Sequence, residues 1–463
     1  MNRLMWAPAL LIALGLMLPV FADSKEIRKL KKEFARAAAE QNEDQQISII
    51  REIAGFGSED ALETVYELGR DHAKTPALYA ATLDELASLD GILEYLQARY
   101  GKIKSKGDFR ERVYIADVAA KVGNPASVTM LASFLVDKSP FVQGAAVESL
   151  QKTMSAEAID PLIDLLKKLV KKRKDVLYHQ VRDALWALTG RDFDLIEDWE
   201  QWWEPRKGTF DPKESDHEGK TGVKRKRRGN DPEFWGVPVE SKNIVFVIDT
   251  SGSMKYVHKD DIPGLSRADG SDTGVGKGGG QMTSAQKRLA RFWTRMEMAK
   301  RELRKVVKKM GKDAFFNCVR FDTTVSKFQK RAVPSVRGNK NKAQKWIDGL
   351  KHNGNTNTLD SLIQAFNADA KTNTIFFLSD GLPSKDGKVS DPTGPILDKV
   401  FELNRFRKIK IHTFGFHPFT QGGQPMPDLQ QANSWLMKLA EATGGTYTDM
   451  KVDNNLKPDP DGP

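Results

Sequence analysis

Residues 243–253 read NIVFVIDTSGS. Ile244 to Ile248 is a continuous apolar run of β-forming residues, the pattern of a strand covered on both faces. Asp249 follows at once, and Ser251 and Ser253 come at alternate positions after it. At the carboxyl end of a parallel strand the chain must turn. Gly252 permits a tight loop that aims one carboxylate and two hydroxyls at a common point.

Downstream of this stretch, strands and helices alternate. Leu289, Phe292, Trp293, Met296, Ala299, Leu303, Val306, Val307 and Met310 form one apolar helical stripe. Further strands are expected at 314–321, 374–378 and 410–416 and near Thr446, and further helices near 342–350, 359–370, 395–405 and 434–443. The pattern predicts an α/β domain at 241–450: a doubly wound, Rossmann-like, mostly parallel sheet with helices on both faces. Asp380 stands in Ser379-Asp380-Gly381, just past an apolar strand, and so is expected at the same edge of the sheet as Asp249. Thr356, in Gly354-Asn355-Thr356-Asn357 before a helix, offers a third hydroxyl. Cys318 falls inside a strand and reads as core.

Upstream, residues 23–205 are a succession of apolar-periodic helical segments without a β-rich run. Sliding Val113–Val136 by 31 positions places Val128 on Ile159, Leu131 on Leu162 and Leu135 on Leu166. The stretch SPFVQGAAVESLQKTMSAEAIDPLIDLL, residues 139–166, resembles a HEAT repeat, which implies an all-α solenoid of stacked helix pairs. Trp199, Trp202 and Trp203 lie on nearly one helix face and are expected to cap the core of the last repeat. Residues 206–240, with the basic run Lys224 to Arg228, read as a basic linker, and 451–463 as a disordered tail.

The first 22 residues place Arg3 before an uncharged apolar run that ends in Val20 and Ala22, the pattern of a secretory signal peptide cleaved after Ala22. A secreted or periplasmic protein without a membrane span is then expected; the alternative is an uncleaved N-terminal helix that anchors it in a membrane. The lone cysteine, Cys318, excludes an intrachain disulfide framework. The net charge of +10 divides unevenly: −6 over 23–205, +2 over 206–240 and +13 over 241–463, with Arg3 supplying the remainder. Much of the excess falls on the helix 287–312, whose basic face reads first as solvated.

The Asp249-x-Ser251-x-Ser253 string, Thr356 and Asp380, in this order on this pattern, resemble the metal-ion-dependent adhesion site of the von Willebrand factor A domain family. The resemblance covers about residues 241–450 and includes Thr443-Gly444-Gly445-Thr446-Tyr447 before the last strand. It implies that Ser251, Ser253 and Thr356 are hydroxyl ligands of a metal. Asp249 and Asp380 would be carboxylate ligands, directly or through water. Gly354-Asn355-Thr356 departs from the family's usual Gly-Gly-Thr. Such an all-oxygen set suits Mg²⁺, with Mn²⁺ or Ca²⁺ as substitutes. Because the hydroxyls are neutral, the ion stays positive enough to attract an Asp or Glu of a partner.

The insert 255–283, rich in glycine and aspartate, is expected as a mobile loop beside the metal. Gly276-Lys277 is not a phosphate loop, because positions 271 and 278 hold Ser271 and Gly278 in place of Gly and Ser or Thr. No GxSxG elbow or HExxH pair occurs, so a non-enzymatic function is expected. The reading is a metal-dependent adhesion or scaffold protein, with a second protein held on the helical repeats. The alternative is a Ro-like RNA-binding protein; the export signal and the acidic solenoid argue against RNA.

Overall fold

The computed structural model describes residues 8–103, 108–170, 176–215, 232–255, 292, 294–387, 390–416 and 427–450. They form two compact units, one of N-terminal helices and one of mixed α/β structure. The basic run 224–228, nearly all of the insert 255–283 and the tail 451–463 lie outside the described residues.

The helical unit contains α1 (Pro8–Ala39), α2 (Glu43–Ala54), α3 (Glu59–His72), α4 (Pro76–Ser88), α5 (Ile92–Lys102) and α6 (Phe109–Val122). It continues with α7 (Pro125–Phe134), α8 (Pro140–Thr153), α9 (Ile159–Leu169), α10 (Val176–Thr189) and α11 (Ile196–Trp203). Short polar residues start these helices: Asn42, Ser58, Thr75, Asp108 and Asn124 each accept a hydrogen bond from a first-turn N–H. Pro76, Pro125 and Pro140 stand where the missing N–H costs nothing. Along the array α2 packs on α4, α4 on α6 and α6 on α8, while α3 and α7 pack beside them. This is the stacking of an α-solenoid. Trp199 is fully buried and Trp203 nearly so; the Trp203 indole N–H donates to Asp160 Oδ1 at 2.9 Å and ties α11 to α9. The tryptophans thus close the end of the core, as their spacing implies. The expected cleavage point after Ala22 lies within α1. Among the described residues no helix is long and apolar enough to cross a membrane.

The α/β unit begins with a hairpin, β1 (Glu233–Phe234) and β2 (Val237–Pro238). Its strands are β3 (Asn243–Asp249), β4 (Phe315–Phe321), β5 (Val325–Lys327), β6 (Val333–Pro334), β7 (Thr374–Ser379), β8 (Lys410–Phe416) and β9 (Tyr447–Met450). Its helices are α12 (Arg295–Lys309), α13 (Arg337–Asp348), α14 (Thr358–Phe366), α15 (Thr393–Asn404) and α16 (Pro427–Ala442). The strands are ordered β5-β4-β3-β7-β8-β9; β4, β3, β7, β8 and β9 are parallel, and β5 and β6 pair antiparallel with β4.

The central strand shows why its sequence is continuous rather than alternating. Ile244, Phe246 and Ile248 enter one core with α12 and α13, whereas Val245 and Val247 enter the opposite core with α14, α15 and α16. Near the end of the sheet an added Cβ at Gly445 would lie 2.0 Å from the Ile411 carbonyl oxygen. Only glycine lets the chain pass β8 so closely on its way to β9.

The linker reading of 206–240 is corrected at its end. Phe234 of β1 is fully buried and packs edge-on against Phe414, with Phe246 and Phe376 also in contact. Gly236, at φ +76°, makes the tight turn that returns the chain. The edge strands β5 and β6 also escape the sequence reading, being three and two residues long.

Candidate metal centre

In the parallel part of the sheet the strand that comes first in the chain, β3, has the next, β4, on one side and β7 on the other. The connections from β3 and β7 therefore leave the sheet in opposite directions and open a crevice at their carboxyl ends, where ligands of doubly wound folds bind. Asp249 ends β3, Ser379 ends β7 and Asp380 comes next. Both expected carboxylates emerge at this point.

The loop after β3 is fixed by its own first residue. Asp249 Oδ1 accepts the Ser251 N–H at 2.7 Å, and Oδ2 accepts the Ser379 hydroxyl at 2.6 Å. Met254 is buried in the core below and holds the far end of the turn. Ser251 Oγ then lies 3.0 Å from Ser253 Oγ, and the Ser253 hydroxyl donates to Asp380 Oδ1 at 2.7 Å. Four of the five predicted residues are thus joined in one hydrogen-bonded chain.

Thr356 is brought in through the backbone. Gly252 N–H donates to Gly354 O at 2.9 Å, and Asn353 N–H to Thr250 O at 2.8 Å, which ties the two loops together. Thr356 pairs as an isolated bridge with Ser384, and an added Cβ on Gly381 would lie 3.9 Å from its hydroxyl oxygen. Its hydroxyl therefore stands beside the Asp380-Gly381 turn. Gly354, at φ +64°, lets this loop turn; a Cβ there would also lie 2.4 Å from Thr323 Oγ1. Asn355 does not close the loop: its N–H donates to Thr323 Oγ1 and its side chain reaches the Lys385 carbonyl.

Asp249 is fully buried, and that burial, with the Asp380 carboxylate nearby as the smaller cause, pushes its carboxyl up to about 7. Among the described residues no three of His, Cys, Asp and Glu cluster as a metal site. The set at this crevice is instead two carboxylates and three hydroxyls, oxygen donors that fit a hard octahedral ion.

Two residues of the site escape the sequence reading. Ser379 orients Asp249, and its signal is the hydroxyl that follows the apolar run Ile375–Leu378 at the end of β7. Arg295 is the second: its Nη1 donates to Asp380 Oδ2 at 2.7 Å, with the arginine side chain 8% and the aspartate side chain 0% exposed. The basic face of this helix reads as solvated from the sequence, and here that is corrected. Thr294 caps α12, which places Arg295 in its first turn, turned inward with Met296; Lys300 is buried as well and bonds to Glu297 and the Asp348 carbonyl. Cys318 is buried in β4, and burial pushes its thiol far up from its ordinary value, so it is inert core.

Sequence families agree with this architecture. The von Willebrand factor type A domain matches residues 284–449, and HEAT repeats match residues 96–177. The chain thus has an N-terminal helical region with a HEAT-repeat match, followed by an α/β domain that matches the von Willebrand factor type A domain. The domain match takes in Thr356 and Asp380 but begins beyond Asp249, Ser251 and Ser253.

Two human proteins are similar over 132 residues. "von Willebrand factor A domain-containing protein 3B" is 32% identical, over 28% of this chain and 9% of that protein. "von Willebrand factor A domain-containing protein 3A" is 26% identical, over 28% and 10%. The chain thus spans about a tenth of the length of these relatives. A solved structure titled "von Willebrand factor type A from Catenulispora acidiphila" aligns with 46% of this chain and 39% of its own at 17% identity, with a TM-score of 0.30.

Proposed function

We propose that the chain is a metal-dependent protein-binding scaffold, in which the crevice at β3 and β7 holds Mg²⁺ and, through it, an acidic side chain of a partner. The observation that supports this most is the convergence of Asp249, Ser251, Ser253 and Asp380 in one hydrogen-bonded chain at the switch point of the sheet. Asp249 and Asp380 would hold the ion directly or through water, with the hydroxyls of Ser251, Ser253 and Thr356 as neutral ligands. A bound ion supplies an electrophilic position open to a carboxylate. Ser379 keeps the Asp249 carboxylate turned into the site, and Met254 keeps the serine loop pinned to the core. The helical repeats would offer a second protein-binding surface. Mn²⁺ or Ca²⁺ would substitute. Export, with cleavage after Ala22, belongs to the same proposal, and N-terminal sequencing of the mature protein tests it.

The functional test is capture of partners in Mg²⁺ compared with EDTA, for the full chain and for Asp249→Ala. Partners retained in Mg²⁺, and lost both in EDTA and in the variant, support the proposal. Equal retention under all conditions contradicts it.

A further inference from the structure

The metal-binding reading leaves one charged group without a task. Arg295 is buried, it is not among the oxygen ligands, and yet it touches one of them. Its Nη1 lies 2.7 Å from Asp380 Oδ2, while Ser253 donates to Oδ1 of the same carboxylate at 2.7 Å. Both oxygens of Asp380 are thus engaged, one by a cation and one by a hydroxyl that leads on to Ser251 at 3.0 Å. The guanidinium is held from a second side, its carbon 5.6 Å from the centre of the Phe416 ring at the end of β8. Its place in the first turn of the capped helix α12 fixes its approach. This is a built contact with both partners out of solvent, unlike the exposed lysine and arginine pairs elsewhere on the same helix.

We propose that Arg295 is a resident counter-ion that sets the charge of this site: it weakens metal binding and leaves the metal-loaded crevice net positive. The inference rests on the metal-binding reading. With both carboxylates ionised, Asp249, Asp380 and Arg295 together carry one negative charge. A divalent ion brings that to one positive charge. Without Arg295 the loaded site would be neutral and would attract a carboxylate less. A fixed positive group bonded to a ligand of a divalent ion repels that ion, and more strongly where water is excluded, as it is around the Arg295–Asp380 pair. Arg295 therefore acts on the metal through Asp380, as a positioning residue. The same guanidinium holds Asp380 and, through Ser253 and Ser251, the ligand loop in place when no ion is bound.

The two roles predict opposite signs, and this separates them from ordinary structural support. The probe is Mn²⁺, titrated by calorimetry or electron paramagnetic resonance into the full chain and into Arg295→Met and Arg295→Lys. Arg295→Met keeps an apolar stem against Phe416 and removes the charge; Arg295→Lys keeps a cation. Arg295→Met should bind Mn²⁺ at least about tenfold more tightly than the parent chain. Its thermal midpoint without metal should be lower. Arg295→Lys should fall between the two in affinity. If Mn²⁺ binds the parent chain and binds Arg295→Met equally or more weakly, the inference is overturned and the metal-binding reading stands. If Mn²⁺ binds neither the parent chain nor Arg295→Met, the metal-binding reading itself fails. Should Arg295→Met not fold, unchanged affinity in Arg295→Ala or in Arg295→Gln overturns the inference in the same way.

Discussion

Arg112 with Asp137 in the helical unit and Arg295 with Asp380 in the α/β unit are both buried ion pairs, 2.9 and 2.7 Å long. Their surroundings differ. Asp137 is also held by the Ser139 N–H at 2.7 Å and by the Tyr100 hydroxyl at 3.0 Å, so the carboxylate joins α5, α6 and the start of α8. Its remaining partners are backbone and scaffold groups fixed by the stacking of helices. Asp380 instead completes its bonding with Ser253, a hydroxyl on a loop, and beyond it Ser251. The two buried pairs thus differ in where the carboxylate's other donors sit, on packed helices for Asp137 and on a loop for Asp380. Asp137 is closed by one main-chain N–H and by a tyrosine hydroxyl held between helices, whereas Asp380 is closed by a serine hydroxyl that leads on to a second serine in a loop, a chain of oxygens that an ion could take over.

The largest effect should come from Asp137→Ala, which leaves Arg112 charged and buried; about 3–5 kcal/mol of stability should be lost. Hydrogen–deuterium exchange on the full chain should show this loss across α6 to α8, with little change in β3 and β7. Exchange that rises equally in the two units would show that Asp137 is not the local tie described.

A smaller effect belongs to Ser379→Ala, which removes the hydroxyl bonded to Asp249 and leaves all five proposed ligands in the sequence. Mn²⁺ affinity should fall by roughly ten- to a hundredfold, as when an outer-shell partner of a metal ligand is lost. Denaturant titration should show a cost of only about 0.5–1.5 kcal/mol. A large stability loss with unchanged metal affinity would make Ser379 a fold residue and nothing more. The smallest effect is expected for Lys152→Ala, whose pair with Glu148 is exposed on α8. Thermal midpoints should reflect at most about 0.5 kcal/mol. A cost as large as that of Asp137→Ala would mean that burial does not separate the pairs.

Much of this was legible in the sequence, for reasons that can be named. The run Ile244–Ile248 could only be doubly buried, and Asp249, Ser251 and Ser253 follow it at the edge of the sheet where ligands bind. The same logic located Asp380. Thr356 was legible as a hydroxyl before a helix, but its closeness to the Asp380 turn depends on Gly354 and on pairing with Ser384, contacts that bridge distant parts of the chain. Arg295 was not legible. On a helix with Lys305, Lys308 and Lys309 it reads as one more solvated charge, and only the capped start of α12 turns it inward. Phe234 was hidden by the charge and glycine around it, since two-residue strands leave no periodicity. The domain match begins at residue 284, so the first three site residues are placed by the strand pattern and the structure rather than by the family.

The crevice between β3 and β7 is proposed to bind a divalent cation through Asp249. The most direct test is titration of Mn²⁺ into the full chain and into Asp249→Ala, with hydrogen–deuterium exchange to show that both are folded. Saturable binding is expected in the parent chain, with slower exchange at 249–253 and 379–381 when Mn²⁺ is present, and neither effect in the variant. Equal binding by the folded variant, or no binding by the parent chain, would contradict it.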